Sequence, residues 1–271
     1  MEEYVAYYVA YGLALFIGIV LGLIGGGGSI LTVPVFVYLL GIKEEIATAY
    51  SLFVVGIVAL VGGLRYLIKQ QVDLKTAIIF AIPAVPAVYA TRKFIVPAIP
   101  EVIYRNGDFE FTKGMFIMLL FSIVMIAAAI SMVRGRRDSP MKTVNVKTSK
   151  YNYLMIFFEG IFVGAITGLV GAGGGFLIVP ALVLLAKIPM KIAVGTSLLI
   201  IAIKSLVGFL GDLNQGYDID WYFLVLFSSV AIVGVFIGAI FNSKVPARIL
   251  KKGFGWFVLM MAIVILFLEI F

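Results

Sequence analysis

Long apolar runs, almost free of charge, recur along this chain and constrain its fold more than any other feature. Residues 4–23, 76–89, 115–133, 219–241 and 254–268 are the plainest, the second being short and rich in proline. A helix needs roughly 18 to 20 such residues to cross the hydrocarbon core of a bilayer, and several runs reach that length. Inside lipid, every backbone N–H and C=O must be satisfied by the protein itself, so only helices and closed barrels can span. A barrel would show short segments of alternating polarity, and these runs do not alternate. We therefore read an all-α, polytopic protein that crosses the cell membrane several times.

Composition agrees. The chain has 271 residues, 63% apolar and 13% charged, whereas soluble domains carry roughly 45–50% apolar and about 25% charged residues. The first run follows Met1-Glu2-Glu3, without the leading positive charge of a secretory signal, and reads as a permanent membrane helix. The chain contains no cysteine and no histidine. That excludes disulfides, thiolate or imidazole metal sites, and catalysis that depends on either residue. No cofactor is expected. The net charge of +7 would suggest nucleic acid in a soluble protein, but in a membrane protein it marks cytoplasmic loops. The partners expected are membrane lipid and a small solute, with no nucleic acid and with room for a homo-oligomer.

Two of the apolar stretches carry a built-in break. Residues 22–34 read GLIGGGGSILTVP and residues 168–180 read GLVGAGGGFLIVP. Glycine and proline are the two poorest residues for an uninterrupted helix. The two runs belong to a longer internal repeat. Gly18 and Gly164 lie 146 positions apart, as do Gly22 and Gly168, Gly25 and Gly171, Gly28 and Gly174, Pro34 and Pro180, and Ser51 and Ser197. At that offset about 21 of roughly 49 gapless positions are identical, a strong repeat signal. The chain divides accordingly into a first transmembrane repeat (1–134), a basic linker (135–150) and a second transmembrane repeat (151–271). Each repeat holds an apolar helix (4–24; 152–170), a glycine loop (25–28; 171–175), a short apolar piece (29–42; 176–188) and three longer spans.

Charge orients the repeats. Arg134, at the end of the first repeat, and Arg136, Arg137, Lys142, Lys147 and Lys150 of the linker form one basic stretch; Lys244, Arg248, Lys251 and Lys252 form a second basic loop, and Arg65, Lys69 and Lys75 a third. The positive-inside rule places all three in the cytoplasm and both termini outside it. This works only if the first two segments of each repeat form a hairpin that returns to its starting side. The repeats are then inverted, as in secondary transporters that hold substrate at the midplane between them. The stretch 92–113 resists this scheme, because it would be external yet holds Arg92, Lys93, Arg105 and Lys113.

The piece after each glycine run is about 13 residues long, or roughly 20 Å of helix, which is too short to cross. It reads as a re-entrant half-helix starting just after its glycines, with Pro34 and Pro180 expected in the first turn, where no N–H is needed. Exposed backbone at that depth is tolerated only where it lines a cavity. Free N–H groups and the helix dipole attract anions. Two inverted copies would aim two such ends at one site. The substrate-binding set read from this is Gly25, Gly26, Gly27, Gly28 and Ser29 with Gly171, Gly173, Gly174 and Gly175. The segments IATAYS (46–51) and IAVGTS (192–197) add Ser51, Thr196 and Ser197 as hydroxyl donors. The competing reading is packing: glycines let membrane helices approach closely, and small hydroxyl residues join helices to one another. No alternating strands flank the glycine runs, so a nucleotide-binding reading is excluded.

Lys204 lies well inside the span 192–213, and its counterpart in the first repeat is Val58. A lysine within a span is costly and by default functional. It is read as an anion ligand, the alternatives being that it snorkels or pairs with an acid. Glu159 and Asp212 are the candidate proton-coupling groups. Glu159 relays a proton, pairs with Lys204 or simply sits at the interface, and Asp212 is expected to face water.

The motif G-L-x-G-x-G-G-G-x-x-x-V-P, followed about twelve residues on by A-V-G-T-S-L, resembles the sulfite exporter TauE/SafE family, also called the toluene-sulfonate uptake permease family. The second copy, 168–180 and 193–198, carries it best; in the first, Ala49-Tyr50-Ser51 replaces the G-T-S triplet. The resemblance implies an ion-coupled transporter, not an enzyme, that moves sulfite, an organosulfonate or another small sulfur-containing anion. It leaves direction and exact substrate open. Two other readings compete: an anion channel using the same site, and an intramembrane aspartyl protease built on Asp212 and Asp218. The second lacks the Gly-x-Gly-Asp spacing.

Overall fold

The computed structural model describes residues 2–106, 109–134, 153–171, 173–185, 188–213, 216, 218–242 and 244–270. The linker 135–150 lies outside them. Nearly everything described is helix. The order is α1 (Glu2–Ile24), α2 (Ser29–Pro34), α3 (Glu44–Ile68), α4 (Leu74–Ala90), α5 (Val96–Ala98), α6 (Lys113–Arg134), α7 (Tyr153–Val170), α8 (Gly175–Pro180), α9 (Met190–Asp212), α10 (Trp221–Asn242) and α11 (Ala247–Ile270). Six described helices are long and apolar enough to cross a membrane, and shorter apolar stretches occupy Ser29–Leu39, Leu154–Val170 and Gly255–Glu269. The protein is an all-α, multi-pass membrane protein.

Both half-helices begin where their glycines end, at Ser29 and Gly175. Their prolines are not in the first turn. Pro34 and Pro180 each stand sixth, and the helix widens immediately afterwards into a π-helical turn, Val35–Leu39 and Ala181–Leu185. A proline supplies no N–H and its ring crowds the carbonyl four residues back. Widening the next turn absorbs both defects without ending the helix. The span 74–99 is similarly divided. Beyond α4 a π-helical turn, Thr91–Ile95, leads into α5, with Pro97 at its start.

Close backbone approach pairs the long helices. A β-carbon on Gly18 or Gly22 would strike the backbone of α10 at Ala231 or Val235, and one on Gly234 or Gly238 would strike α1. Gly160 and Gly164 meet α4 at Phe80 and Ala84 in the same way. So the first helix of each repeat packs on a helix of the other repeat, in parallel. The helices α3 and α9 run in opposite directions: Gly56 faces Leu206, Gly63 faces Leu199, and Gly208 faces Leu52. In lipid there is little hydrophobic drive to join helices, and such small-residue contacts supply the packing instead.

The region 100–112 is a two-stranded antiparallel hairpin, β1 (Val102–Asn106) with β2 (Phe109–Thr112), where the sequence reading expected only loop. In the sequence, Gly107-Asp108 between the two strands is a hairpin-turn signal. Ion pairs in and beyond the hairpin account for three of the four cations that resisted the charge argument. Arg105 pairs with Glu110 across it, Lys113 pairs with Glu45 at 2.8 Å, and Arg92 pairs with Asp212 at 2.7 Å. Three of the four positive charges in 92–113 are thus neutralised locally.

Substituting Gly18 by Leu should separate α1 from α10 and lower the melting temperature in detergent, overpacking of this kind costing about 1–3 kcal/mol or more. Gly12→Ala is the control, because nothing lies within 4 Å of its added methyl. It should melt no lower than the parent by the same thermal assay.

Candidate functional site

The two glycine loops meet inside the protein. Gly26 and Gly175 stand against each other so closely that neither has room for a β-carbon. Gly25 and Gly171, equivalent by the repeat, both have positive φ, 90° and 71°, which only glycine adopts without strain. Each then packs on the opposite repeat. Gly25 touches Val194 and Ser197 of α9, and Gly171 touches Thr48 of α3, which is equivalent to Val194. The breaks are therefore where the halves of the chain interlock. Within the first turns of the short helices, the N–H groups of Ser29 and Leu31 bond to Gly26 O and Gly28 O, and those of Leu177 and Ile178 bond to Gly174 O.

Lys204 completes this junction. Its side chain is fully buried, and Nζ donates to Thr167 Oγ1 at 2.5 Å. The ammonium also stands beside Gly174, the N-cap of the second short helix, with φ 64°. Among the described residues no carboxylate lies within ion-pair distance of it. Lys204 is not paired with Glu159. A buried cation without a counter-charge is expensive. Here a helix N-terminus, itself electropositive, adds to the unbalanced charge.

The remaining predicted residues fall into two groups. Gly27, Gly28 and Gly173 are buried in the loops, Ser29 Oγ donates to Gly26 O at 2.7 Å, and Ser197 Oγ donates to Val194 O at 2.8 Å beside Gly25. Ser51 Oγ is buried without a hydrogen-bond partner. Thr196 points elsewhere: its hydroxyl donates to Ile192 O and accepts from the N–H of Asp73, fastening α9 to the loop before α4. Sequence reasoning missed Thr167 and Ser205. Ser205 Oγ is buried, has no partner and borders Gly173. Its position next to Lys204 was the available signal.

Asp212 does not face water. It is 1% exposed and accepts both Oδ atoms' bonds from Arg92 Nε at 2.8 Å. Arg92 is fully buried, and its NH1 group donates to Thr48 Oγ1 at 3.0 Å and Gly168 O at 3.4 Å. The guanidinium fork thus joins α9, α3 and α7 from the π-helical turn after α4. Asp218 is exposed and takes no part. Glu159 lies on α7 and faces an apolar cavity of about 400 Å³ between α6, α7 and the second short helix, bordered by Val124, Ala128, Val163 and Pro180. Both of its carboxylate oxygens are buried without a hydrogen-bond partner.

The model of the family described as sulfite exporter TauE/SafE matches residues 10–265. The chain belongs to the TauE/SafE family. It is 30% identical over 253 residues to a probable membrane transporter protein of Xylella fastidiosa strain Temecula1, covering 92% of this chain and 91% of that one. The probable membrane transporter protein YunE of Bacillus subtilis is 28% identical over 255 residues, covering 90% and 91%. No solved structure matches the chain. As a TauE/SafE protein it is a membrane transporter.

Removing one partner of a buried ion pair strands the other charge, at a cost of about 3–5 kcal/mol. Arg92→Gln and Asp212→Asn should therefore each destabilise the transporter strongly, and the neutral double variant that carries both should recover most of that loss. Unfolding of the four proteins of this cycle in mild detergent measures it.

Proposed function

We propose that this transporter carries a small oxyanion, of the class that includes sulfite and organosulfonates, and holds it where the two short helices begin. The supporting observation is Lys204: a buried ammonium, with one hydroxyl partner and no carboxylate, at the N-terminus of a helix. A monovalent or divalent oxyanion supplies the missing charge and accepts from Lys204, the free hydroxyls of Ser51 and Ser205, and backbone N–H groups of the glycine loops. On this reading the protein's two repeats are inverted. The opposed directions of α3 and α9 and the exchange of α1 and α7 between halves support it. So does the neutralisation of cations in 92–113, which leaves the basic loops to place both termini outside the cytoplasm.

Contact between Gly26 and Gly175 favours a carrier over an open channel, because the two loops close on each other. Of the two carboxylates considered for proton coupling, Asp212 is held by Arg92. Glu159 is the one with unpartnered oxygens, and it borders the second short helix through Leu177, Pro180 and Ala181. Glu159 is therefore assigned the proton.

The test is uptake into proteoliposomes from a panel of sulfite, organosulfonates, sulfate, nitrate and chloride, with and without a pH gradient. Sulfur oxyanions should enter and saturate. Lys204→Met should lose about 10- to 100-fold in uptake efficiency, as expected for losing a charge-assisted hydrogen bond of about 1.5–3 kcal/mol. If Lys204→Met transports like the parent at every concentration, the site is elsewhere. Glu159→Gln should retain anion exchange but lose its stimulation by the gradient; unchanged stimulation removes Glu159 from the coupling.

A further inference from the structure

The repeat offset that pairs Val58 with Lys204 also pairs Tyr66 with Asp212. These two residues end α3 and α9, which run in opposite directions, so they stand at opposite ends of the bundle. Each fastens the same place in its repeat. The Tyr66 hydroxyl, fully enclosed by the protein, donates to Gly22 O at 2.7 Å. Asp212 holds Arg92, whose NH1 donates to Gly168 O, the carbonyl equivalent to that of Gly22. The neutral cluster makes a second bond to the same helix. Asn242, at the end of α10, donates to Leu23 O on α1. Arg92, just beyond the end of α4, serves α7 in the corresponding way. Both clusters lie three residues before the glycine that turns into a short helix, Gly25 or Gly171.

We infer that these clusters are the two latches that close the anion pathway, a neutral one of Tyr66 and Asn242 at one mouth and an ionic one of Arg92 and Asp212 at the other. The inference rests on the transporter reading above. Alternating access requires that one end of a pathway open while the other stays shut, and elements that differ only by the repeat are suited to exchange those roles. The chemistry at the two ends is not equivalent. Releasing the neutral latch frees a phenol and an amide. Releasing the ionic latch separates two full charges, which is costly unless another anion takes the carboxylate's place at the guanidinium. The oxyanion itself is such a replacement, because two of its oxygens accept from the Arg92 fork as the carboxylate oxygens of Asp212 do. The ionic mouth therefore opens readily only when anion is present, and the neutral mouth opens without it.

The chain lacks cysteine, so single reporters can be introduced directly. Ser51 lies one turn beyond Thr48, beneath the ionic latch, and Ser197 lies beside Gly25, beneath the neutral latch; both are fully buried. Ser51→Cys and Ser197→Cys are labelled with a small charged methanethiosulfonate, in the full-length transporter, with no anion substrate added. Neutralising the ionic latch by Arg92→Gln, Asp212→Asn should speed labelling of the Ser51→Cys reporter by about tenfold or more and leave the Ser197→Cys reporter no faster. Tyr66→Phe should do the reverse. Equal acceleration of both reporters by the double variant, or no acceleration by either change, overturns the assignment. With both latches intact, adding an organosulfonate, which does not react with the label, should accelerate the Ser51→Cys reporter alone. Labelling requires no transport, so a negative result here with anion uptake intact removes the latches and leaves the proposed function standing.

Discussion

Backbone that is not helical has no place in lipid, and the rest of the structure follows from where this protein puts it. Two glycine loops interrupt the membrane region. Both are buried against the opposite half of the chain, with Gly26 on Gly175 at the centre. Each loop bonds to its own half, Gly25 N–H to Leu21 O and Gly171 N–H to Thr167 O, but is covered by the other. The first repeat thus requires the second to cover its break, and the second requires the first. That mutual need explains the exchange of helices, α1 onto α10 and α7 onto α4. It also explains why glycine is demanded on the contact faces of those pairs, where any β-carbon would hold the halves apart.

Much of this was legible in the residues, and the exceptions share one physical reason. Hydropathy alone gives the spans, because lipid leaves so few options. The offset of 146 gives the repeat, because equal glycine and proline positions mean equal backbone geometry. Both readings of the glycines hold at different positions: Gly18 and Gly164 serve packing, while Gly25 and Gly171 turn the chain. What the sequence does not display is pairing across long separations. Arg92 and Asp212 are 120 positions apart, and each read alone looks like an interfacial charge. Lys113 with Glu45 is a similar case. Thr196 and Ser197 are neighbours in one motif, yet one fastens a loop and the other borders the site, because successive residues of a helix point about 100° apart. The π-helical turns after Pro34 and Pro180 were also hidden, since a proline in mid-helix does not announce whether the helix will end or widen.

A scaffold with two equivalent halves is indifferent to which end of it is open. Function needs that indifference in the backbone and its absence in the chemistry. The substitutions that break the repeat are therefore the informative ones. Val58 and Lys204 occupy the same place, and only the second carries charge. Tyr66 and Asp212 do likewise. Both charged members belong to α9, and Arg92, which answers Asp212, reaches it from the first half. The polar investment is thus concentrated on one side of an otherwise matched structure, around the second glycine loop, where Thr167, Ser205 and Lys204 also gather. The first glycine loop is lined by Ser29 and Ser197, whose hydroxyls are already bonded to carbonyls. On the proposed reading, an anion in this junction would be held mainly by one half of the chain, and the other half would move relative to it without carrying the charge, which would keep the electrostatic cost of each conformational exchange low.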